Sequence, residues 1–361
     1  MLRQRYAAMV LPTLLMIVTM MMATVRPAVA DVSLVFASFA AKENIFNQTA
    51  LHYMQEVKQR TNGFISIKDE FYSGALLKGG EMIKGVGRGL ADVGFYCVGY
   101  TPADLPLTSM TEMPYITEKG DAAAEAMTEL YASYPPLRQE YDRLNVEVLG
   151  FLSPSSTIIG VKRKVTSAGD LKGLKVRAYG QVGEILQKGG DMAPVSIAFG
   201  DIYQSLQTGL IDGYAGIPLW LPPTENWYPL TTTVVDPGIG TYFSCGIAMN
   251  KDQYKALPQR IQEIMVKMRS EFPKLSMRKV LDGNVNSVAA AQKANVGFYQ
   301  FTKAEADAWR MRVDVPAMEQ RWISERKDKT NANVAEFWAK YKALVRKNEP
   351  KSIYRVDFPI K

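Results

Sequence analysis

Residues 170–180 read Asp-Leu-Lys-Gly-Leu-Lys-Val-Arg-Ala-Tyr-Gly, and this stretch indicates how the chain folds. Apolar and basic residues alternate from Leu174 to Arg177, which is the two-residue period of a strand with one buried face. Arg177 therefore lies at the carboxyl end of a short strand. Open α/β sheets bind ligands at that edge, and a guanidinium offers a planar fork of donors that matches a carboxylate. One interpretation is that Arg177 binds an organic anion. An arginine in a surface salt bridge is the alternative, and this stretch alone does not decide for the anion.

Strand and helix patterns alternate along most of the chain. Up to residue 100 the order is strand, helix, strand, helix, strand, which predicts parallel strands joined by right-handed crossovers. Beyond residue 250 the apolar spacing predicts mainly helices, among them one over about 257–268 and a separate one over about 277–294. We find no fixed-period repeat or long linker. The sequence predicts an α/β fold with two lobes joined by more than one crossing of the chain.

Composition is that of an ordinary soluble globular protein. The chain has 361 residues, of which 47% are apolar and 22% charged, with a formal charge of +7. Three arginines fall within residues 1–30, where no acid occurs, so the remainder carries about +4. No basic run with interleaved aromatic residues is present, and nucleic acid is not expected as a partner.

The first thirty residues have the pattern of a secretory signal peptide. Arg3 and Arg5 precede a long apolar run, and Ala28-Val29-Ala30 matches the small-residue cleavage pattern. An uncleaved membrane anchor is the alternative, because the run is nearly long enough to span a bilayer. We expect cleavage after Ala30 and a periplasmic mature protein.

Residues with catalytic or metal-binding chemistry are scarce. The only histidine, His52, and the two cysteines, Cys97 and Cys245, do not have the spacing of a zinc site. An exported protein permits a disulfide, but two buried thiols are an equal alternative. No G-x-S-x-G motif and no phosphate-binding glycine loop preceding a helix occurs. We expect neither a cofactor nor an enzymatic activity.

Two motifs carry a family resemblance. Asp170-Leu-Lys-Gly-Leu-Lys-Val-Arg177 is followed by Tyr203-Gln-Ser-Leu-Gln-Thr-Gly-Leu-Ile-Asp212-Gly213, and shorter matches extend over almost the whole chain after residue 30. In this order they resemble the dicarboxylate-binding type of substrate-binding protein from tripartite ATP-independent periplasmic (TRAP) transporters.

The resemblance implies a two-lobed periplasmic binding protein-like fold with a hinge and a central ligand cleft. It implies that Arg177 pairs with a ligand carboxylate, and that the protein delivers a small organic acid to the membrane permease subunits of an ion-gradient-driven transporter. Lobe I is expected to comprise 31–154 and 243–282, and lobe II 155–242 and 283–330. A C-terminal helix in 331–361 is expected to pack back on the lobes. A monomer and a homodimer both remain open.

The chain departs from the family pattern in two places. Some members carry a second arginine twenty residues upstream of the first, where this chain has Thr157. Many have a Glu-Asn pair after the D-G turn, where this chain has Ala215 and Gly216. Because unpaired polar ligand groups are costly to bury, these losses favour a monocarboxylate with an apolar or aromatic body.

Aromatic residues that follow predicted strands are candidates for the wall of the ligand site, where they could stack on a ring. They are Phe39, Tyr96, Tyr100, Tyr179, Trp220 and Phe243. Core packing is the alternative for each.

Two other functions compete with delivery to a transporter. The protein could be an exported binding protein that serves a sensor, or an exported enzyme that acts on organic acids.

Overall fold

The computed structural model describes residues 31–154, 156–178, 181–241, 244–355 and 358–359. The predicted signal peptide therefore lies outside the described residues. The strands are β1 Val32–Ser38, β2 Ile65–Phe71, β3 Val93–Cys97, β4 Val146–Leu152, β5 Thr157–Val161, β6 Lys175–Arg177, β7 Ala193–Val195, β8 Gly213–Pro218, β9 Thr233–Asp236, β10 Cys245–Asn250 and β11 Gly297–Gln300. The helices are α1 Ile45–Arg60, α2 Met82–Gly87, α3 Gly120–Ser133, α4 Pro135–Asp142, α5 Val182–Gly190, α6 Ile202–Thr208, α7 Leu221–Thr224, α8 Lys251–Ala256, α9 Gln259–Lys293, α10 Lys303–Val313, α11 Val315–Lys327 and α12 Val334–Asn348.

The strands form two sheets, and we call each sheet with its helices a lobe. Lobe I has the order β2-β1-β3-β10-β4, and lobe II has the order β11-β9-β5-β8-β6-β7. In lobe I, β1 is parallel to β2 and β3, as the opening pattern of the sequence predicts. The two-lobed α/β fold is confirmed, whereas the predicted lobe boundaries stay a prediction.

One strand in each sheet runs against its neighbours because the chain crosses between the lobes. β10 is antiparallel to β3 and β4, and β5 is antiparallel to β8 and β9. The two crossing segments lie side by side: the hydroxyls of Ser153 and Thr241 are 2.7 Å apart, and Thr157 Oγ1 donates to the Gly240 carbonyl at 3.0 Å. These contacts form the hinge.

Helix α9 corrects the sequence prediction of two separate helices. It runs without a break over 35 residues, through Pro273 in its interior. A proline inside a helix removes a backbone hydrogen bond, so a continuous helix is locally unfavourable at this position. Phe272 and Pro273 are both buried, so packing against the core outweighs the local penalty. At about 1.5 Å per residue, α9 is roughly 50 Å long and packs on helices of both lobes.

The structure resolves the alternative left open for the two cysteines. Cys97 and Cys245 are directly opposed in the antiparallel pair of β3 and β10, and they form a disulfide that joins positions 148 residues apart. At the other end of the chain, α12 packs against α3 of lobe I. No helix within the described ranges is long and apolar enough to cross a membrane.

Candidate functional site

The local sequence around β6 fixes the position of Arg177. Asp212 Oδ2 accepts a hydrogen bond from the Lys175 backbone at 2.8 Å, and β6 then pairs in parallel with β7 and β8. Arg177 is the last residue of the strand and is only 3% exposed. Its Nε donates to the Ile197 carbonyl at 3.2 Å. The guanidinium is therefore held at the carboxyl edge of sheet II.

The acidic residues of the two family motifs have structural roles. The Asp170 carboxylate accepts from the backbone of Thr166 and Ser167, and these hydrogen bonds lower the pKa of Asp170. Asp212 anchors the start of β6, and a side chain on the neighbouring Gly213 would collide with the Gly160 carbonyl. Both motifs thus build the strand that presents Arg177.

Arg177 lines a cavity between the lobes whose other walls are largely aromatic and apolar. Lobe I contributes Phe39, Asn44, Phe46, Phe95 and Tyr100, and lobe II contributes Arg177, Phe199, Gly216, Ile217, Pro218, Trp220 and Leu221. The cavity volume is about 30 Å³. That is room for a few water molecules rather than for a ring, since a cavity known to bind benzene measures roughly 150 Å³.

Aromatic rings from both lobes close this cavity. Phe39 stacks on Phe95 with centroids 5.1 Å apart and meets Tyr100 edge to face at 5.0 Å. Across the cleft, Phe46 packs edge to face on Trp220 at 4.9 Å. Such ring pairs add to the stabilisation from burial alone, so the lobes are held together by apolar contacts at the site itself.

Tyr100 links the aromatic wall to the buried cation. Burial raises the pKa of Tyr100, and the charge of Arg177 and a hydrogen bond between the two side chains offset part of that rise. The phenol therefore keeps its proton at neutral pH. Because Tyr100 belongs to lobe I and Arg177 to lobe II, this contact also crosses the cleft.

Gly216 lies in a β-bulge whose backbone conformation favours glycine. The pairing of β5 with β8 shifts between Ile158 and Ile159, opposite Ile217 and Ala215, which leaves Gly216 as a bulge residue. Its φ of +73° is a conformation that favours glycine. The bulge brings this piece of backbone to the cavity.

The structure brings together most of the residues singled out in the sequence. Phe39, Tyr100, Gly216 and Trp220 line the cavity with Arg177. Tyr179 and Phe243 lie outside the described residues.

Two candidates lie elsewhere. Tyr96 points to the opposite face of its strand and donates to the Tyr141 hydroxyl at 3.2 Å, because its neighbour Phe95 takes the cavity side. Thr157 uses its hydroxyl on the Gly240 carbonyl in the hinge.

Sequence reasoning missed several wall residues. Phe95 could have been found from strand alternation, since it immediately precedes Tyr96. Asn44 has the signature of a helix N-cap just after β1, at the carboxyl edge of sheet I. Phe46 follows on the first turn of the same helix. Phe199 carries no comparable signal, because it lies in a loop after the short strand β7.

A second and larger space, the vestibule, adjoins the cavity. It has a volume of about 490 Å³ and shares Phe39, Tyr100 and Phe199 with the cavity wall. Its remaining lining comes from Ala41, 73–74 and 78–80 in lobe I and from 196–201 and Glu225 in lobe II. Burial raises the pKa of Glu225 to about 7, and the nearby Glu43 adds to the rise. The three shared aromatic rings separate the vestibule from Arg177.

Metal chemistry finds no support in the part of the chain that the structure describes. No group of three or more histidine, cysteine, aspartate or glutamate side chains is arranged there to hold a metal ion.

Comparison with known families decides the identity of the chain. The profile of the bacterial extracellular solute-binding protein family 7 (DctP) matches residues 36–321, which include every cavity residue and every strand from the second half of β1 onward. The chain belongs to this family. The resemblance to TRAP solute-binding proteins is thereby confirmed, and the family consists of transporter components that act outside the cytoplasm rather than of enzymes.

Individual proteins are similar to this chain in sequence or in fold. A solute-binding protein of Verminephrobacter eiseniae is 26% identical over 252 residues, covering 66% of this chain and 70% of the relative. A TRAP solute-binding protein of Rhodoferax ferrireducens, solved with copurified benzoate, matches with a TM-score of 0.78 at 22% identity, covering 89% and 99% of the two chains.

A marine-metagenome protein described as specific for aromatic acid ligands matches with a TM-score of 0.79 at 22% identity, covering 88% and 100% of the two chains. Other structures of this fold hold orotic acid or β-D-galacturonate. The acid group is common to these ligands, while the rest of the molecule differs.

Proposed function

We propose that this protein captures a small organic acid outside the cytoplasm, binds its carboxylate through Arg177, and delivers it to the membrane permease subunits of a TRAP transporter. One observation supports this proposal most directly. A buried guanidinium lies at the carboxyl edge of sheet II and faces a cavity between two lobes whose other walls are largely aromatic and apolar.

The residues that line the cavity indicate the chemistry of the ligand beyond its carboxylate. A charge-assisted hydrogen bond contributes about 1.5–3 kcal/mol net, whereas micromolar binding needs about 8 kcal/mol, so burial of the rest of the ligand must supply much of the difference. Phe39, Phe199 and Trp220 offer apolar and aromatic contact area for that burial. A monocarboxylate with an apolar or aromatic body fits these walls, in line with the benzoate and the aromatic acids named for two proteins of the same fold.

Binding on this proposal requires the lobes to part and close again. The cavity of about 30 Å³ is too small for a ring, and the aromatic contacts at Phe39 and Trp220 close it from both lobes. The hinge at Ser153 and Thr241 is the place where the two chain crossings can bend. Export and cleavage after Ala30, and a monomeric or homodimeric state, complete the proposal.

A panel of acids tests the ligand class. Purified mature protein is titrated with benzoate, phenylacetate, hexanoate and succinate by calorimetry, and its thermal melting is measured with each acid, because a ligand that binds only the native state raises Tm. We expect the monoacids to bind more tightly than succinate. Tighter binding of succinate would contradict the proposed ligand class.

Variants of two arginines test the clamp, by which we mean the binding of the ligand carboxylate by Arg177. Arg177→Lys should lower affinity for the best acid by at least tenfold, because a point charge cannot replace the planar fork. Arg163→Lys changes an exposed arginine in the same lobe and should have no effect. Equal affinities of the two variants would refute the clamp.

An uptake assay distinguishes transport from sensing. Proteoliposomes that contain the permease should take up the acid only in the presence of this protein.

A further inference from the structure

Lobe I contributes one polar side chain to the cavity that the proposed clamp does not use. Asn44 is 4% exposed and lines the cavity together with Arg177 of the opposite lobe. The remaining lobe I wall consists of phenylalanines and of Tyr100, whose hydroxyl is engaged with Arg177. Asn44 is therefore the position at which lobe I could recognise a polar atom of the ligand.

The hydrogen bonds of Asn44 determine which end of its amide remains to donate. Asn44 is the N-cap of α1, and its Oδ1 accepts from the Phe46 backbone N–H at 3.0 Å. This contact orients the side chain and leaves Nδ2 as the donor. Among the described residues, no acceptor lies within hydrogen-bond distance of Nδ2. Asn44 is 4% exposed and lines the cavity, so Nδ2 has little access to bulk solvent and an acceptor supplied by a ligand would be favoured.

We propose that the Asn44 side-chain amide donates a hydrogen bond to the carboxylate of the bound acid, an inference that rests on the proposed function. Asn44 and Arg177 line the same cavity of about 30 Å³ from opposite lobes. One carboxylate accepts several hydrogen bonds through its two oxygens. Arg177 then holds the acid from lobe II and Asn44 holds it from lobe I.

Recognition from both lobes couples binding to closure. An acid bound to Arg177 alone gains the second hydrogen bond only when lobe I closes over it, so the closed state binds the acid more tightly than the open state does. A ligand shifts a conformational equilibrium by its differential affinity for the two states. A neutral amide of the same shape lacks the charge that strengthens this bond and gains less from closure.

The substitution Asn44→Asp separates this role from helix capping. Aspartate caps helices about as well as asparagine, so Oδ1 and the start of α1 are retained while the Nδ2 donor is replaced by a charged acceptor. Asn333→Asp is the control, because Asn333 also caps a helix through its side-chain oxygen. Its Oδ1 accepts from Glu336 N at 3.1 Å at the start of α12, at an exposed site. Asn333→Asp should melt at the wild-type temperature without ligand, and the melting temperature of Asn44→Asp shows whether a carboxylate is tolerated in the cavity that Asn44 shares with Arg177.

Calorimetry with matched acid and amide pairs completes the test: benzoate with benzamide, phenylacetate with phenylacetamide, and hexanoate with hexanamide. We expect Asn44→Asp to lower affinity for the acids by about tenfold or more and to change amide binding little, while Asn333→Asp changes neither. Unchanged acid affinity in Asn44→Asp, or an equal loss for acid and amide, would overturn the inference alone. If the wild-type protein binds no acid, the proposed function fails and this inference fails with it.

Discussion

Phe39 and Phe199 meet edge to face across the cleft, with ring centroids 6.2 Å apart and ring planes at 83°. Phe39 follows β1 in lobe I, and Phe199 follows β7 in lobe II. Both rings belong to the wall between the small cavity and the larger vestibule. An acid that enters from the vestibule must therefore separate this pair before it reaches Arg177, which makes the contact a determinant of ligand size.

Replacing one ring of this pair should change selectivity. In Phe199→Ala the lost contact area weakens binding of a small acid such as benzoate by roughly tenfold, while a larger acid such as 2-naphthoate gains relative to it. Calorimetric affinities for the two acids give the ratio. Phe298→Ala removes a similarly half-buried ring from β11, away from the cavity, and should leave the ratio at the wild-type value. A Phe199→Ala ratio equal to that of the control would show that the pair does not select for size.

The disulfide should contribute strongly to stability. Cys97 and Cys245 close a loop of 148 residues, and cross-links of this length stabilise proteins by about 2–5 kcal/mol, chiefly by restricting the unfolded chain. The double variant Cys97→Ala, Cys245→Ala should unfold at correspondingly lower denaturant concentration. Urea unfolding of wild type with and without reductant provides the comparison. A midpoint that neither reduction nor substitution moves would contradict the prediction.

Glu112 should make stability depend on pH. Burial raises the pKa of Glu112 from its ordinary 4.5 to about 8, and hydrogen bonds from the backbone of Ser244 and Gly99 only partly offset the rise. Between these two values the unfolded chain has lost the proton while the folded protein keeps it, so stability falls as pH rises. Above about pH 8 this contribution levels off.

Urea unfolding at pH 5, 6.5 and 8 measures this effect. Glu112→Gln mimics the protonated form and should lose less stability over the interval than wild type does. Glu263→Gln, at an exposed position of α9, should follow the wild-type curve. Parallel curves for wild type and Glu112→Gln would mean that the Glu112 carboxyl is already ionised in the folded protein.

The hinge should be sensitive to a single methyl group. Gly240 has a φ of +80°, and a Cβ there would lie 2.6 Å from the Thr117 carbonyl oxygen. Gly209 has nearly the same φ, +76°, but no atom within 4 Å of a Cβ. Both alanine variants should lose about 1–2 kcal/mol from the left-handed backbone, and Gly240→Ala should lose more because of the collision. Equal unfolding free energies would exclude a tight contact at the hinge.

The sequence predicted those features that depend on local patterns. Strand alternation placed Arg177 at a strand end, and Arg177 is the last residue of β6. Helix α9 was wrongly divided because Pro273 is unfavourable locally and only the packing of the whole lobe compensates for it.

The residues of the candidate site could be predicted only in part from the sequence, for a related reason. In β3 the sequence predicted Tyr96 as a wall residue, but its neighbour Phe95 lines the cavity. Both residues are aromatic, and only the register of the sheet decides which one faces the cleft. Asn44 and Phe199 reach the cavity from loops of different lobes, so their proximity is set by how the lobes close. No pattern within either loop encodes that arrangement.

The contact between Trp220 and Phe46 gives the protein a built-in optical reporter. Of its five tryptophans, Trp220 is the one that lines the cavity within the described ranges, and its indole is almost fully enclosed. When the lobes separate, water reaches that ring and its emission shifts to longer wavelength. Ligand capture can therefore be followed by intrinsic fluorescence in unlabelled protein, in real time and at concentrations too low for calorimetry.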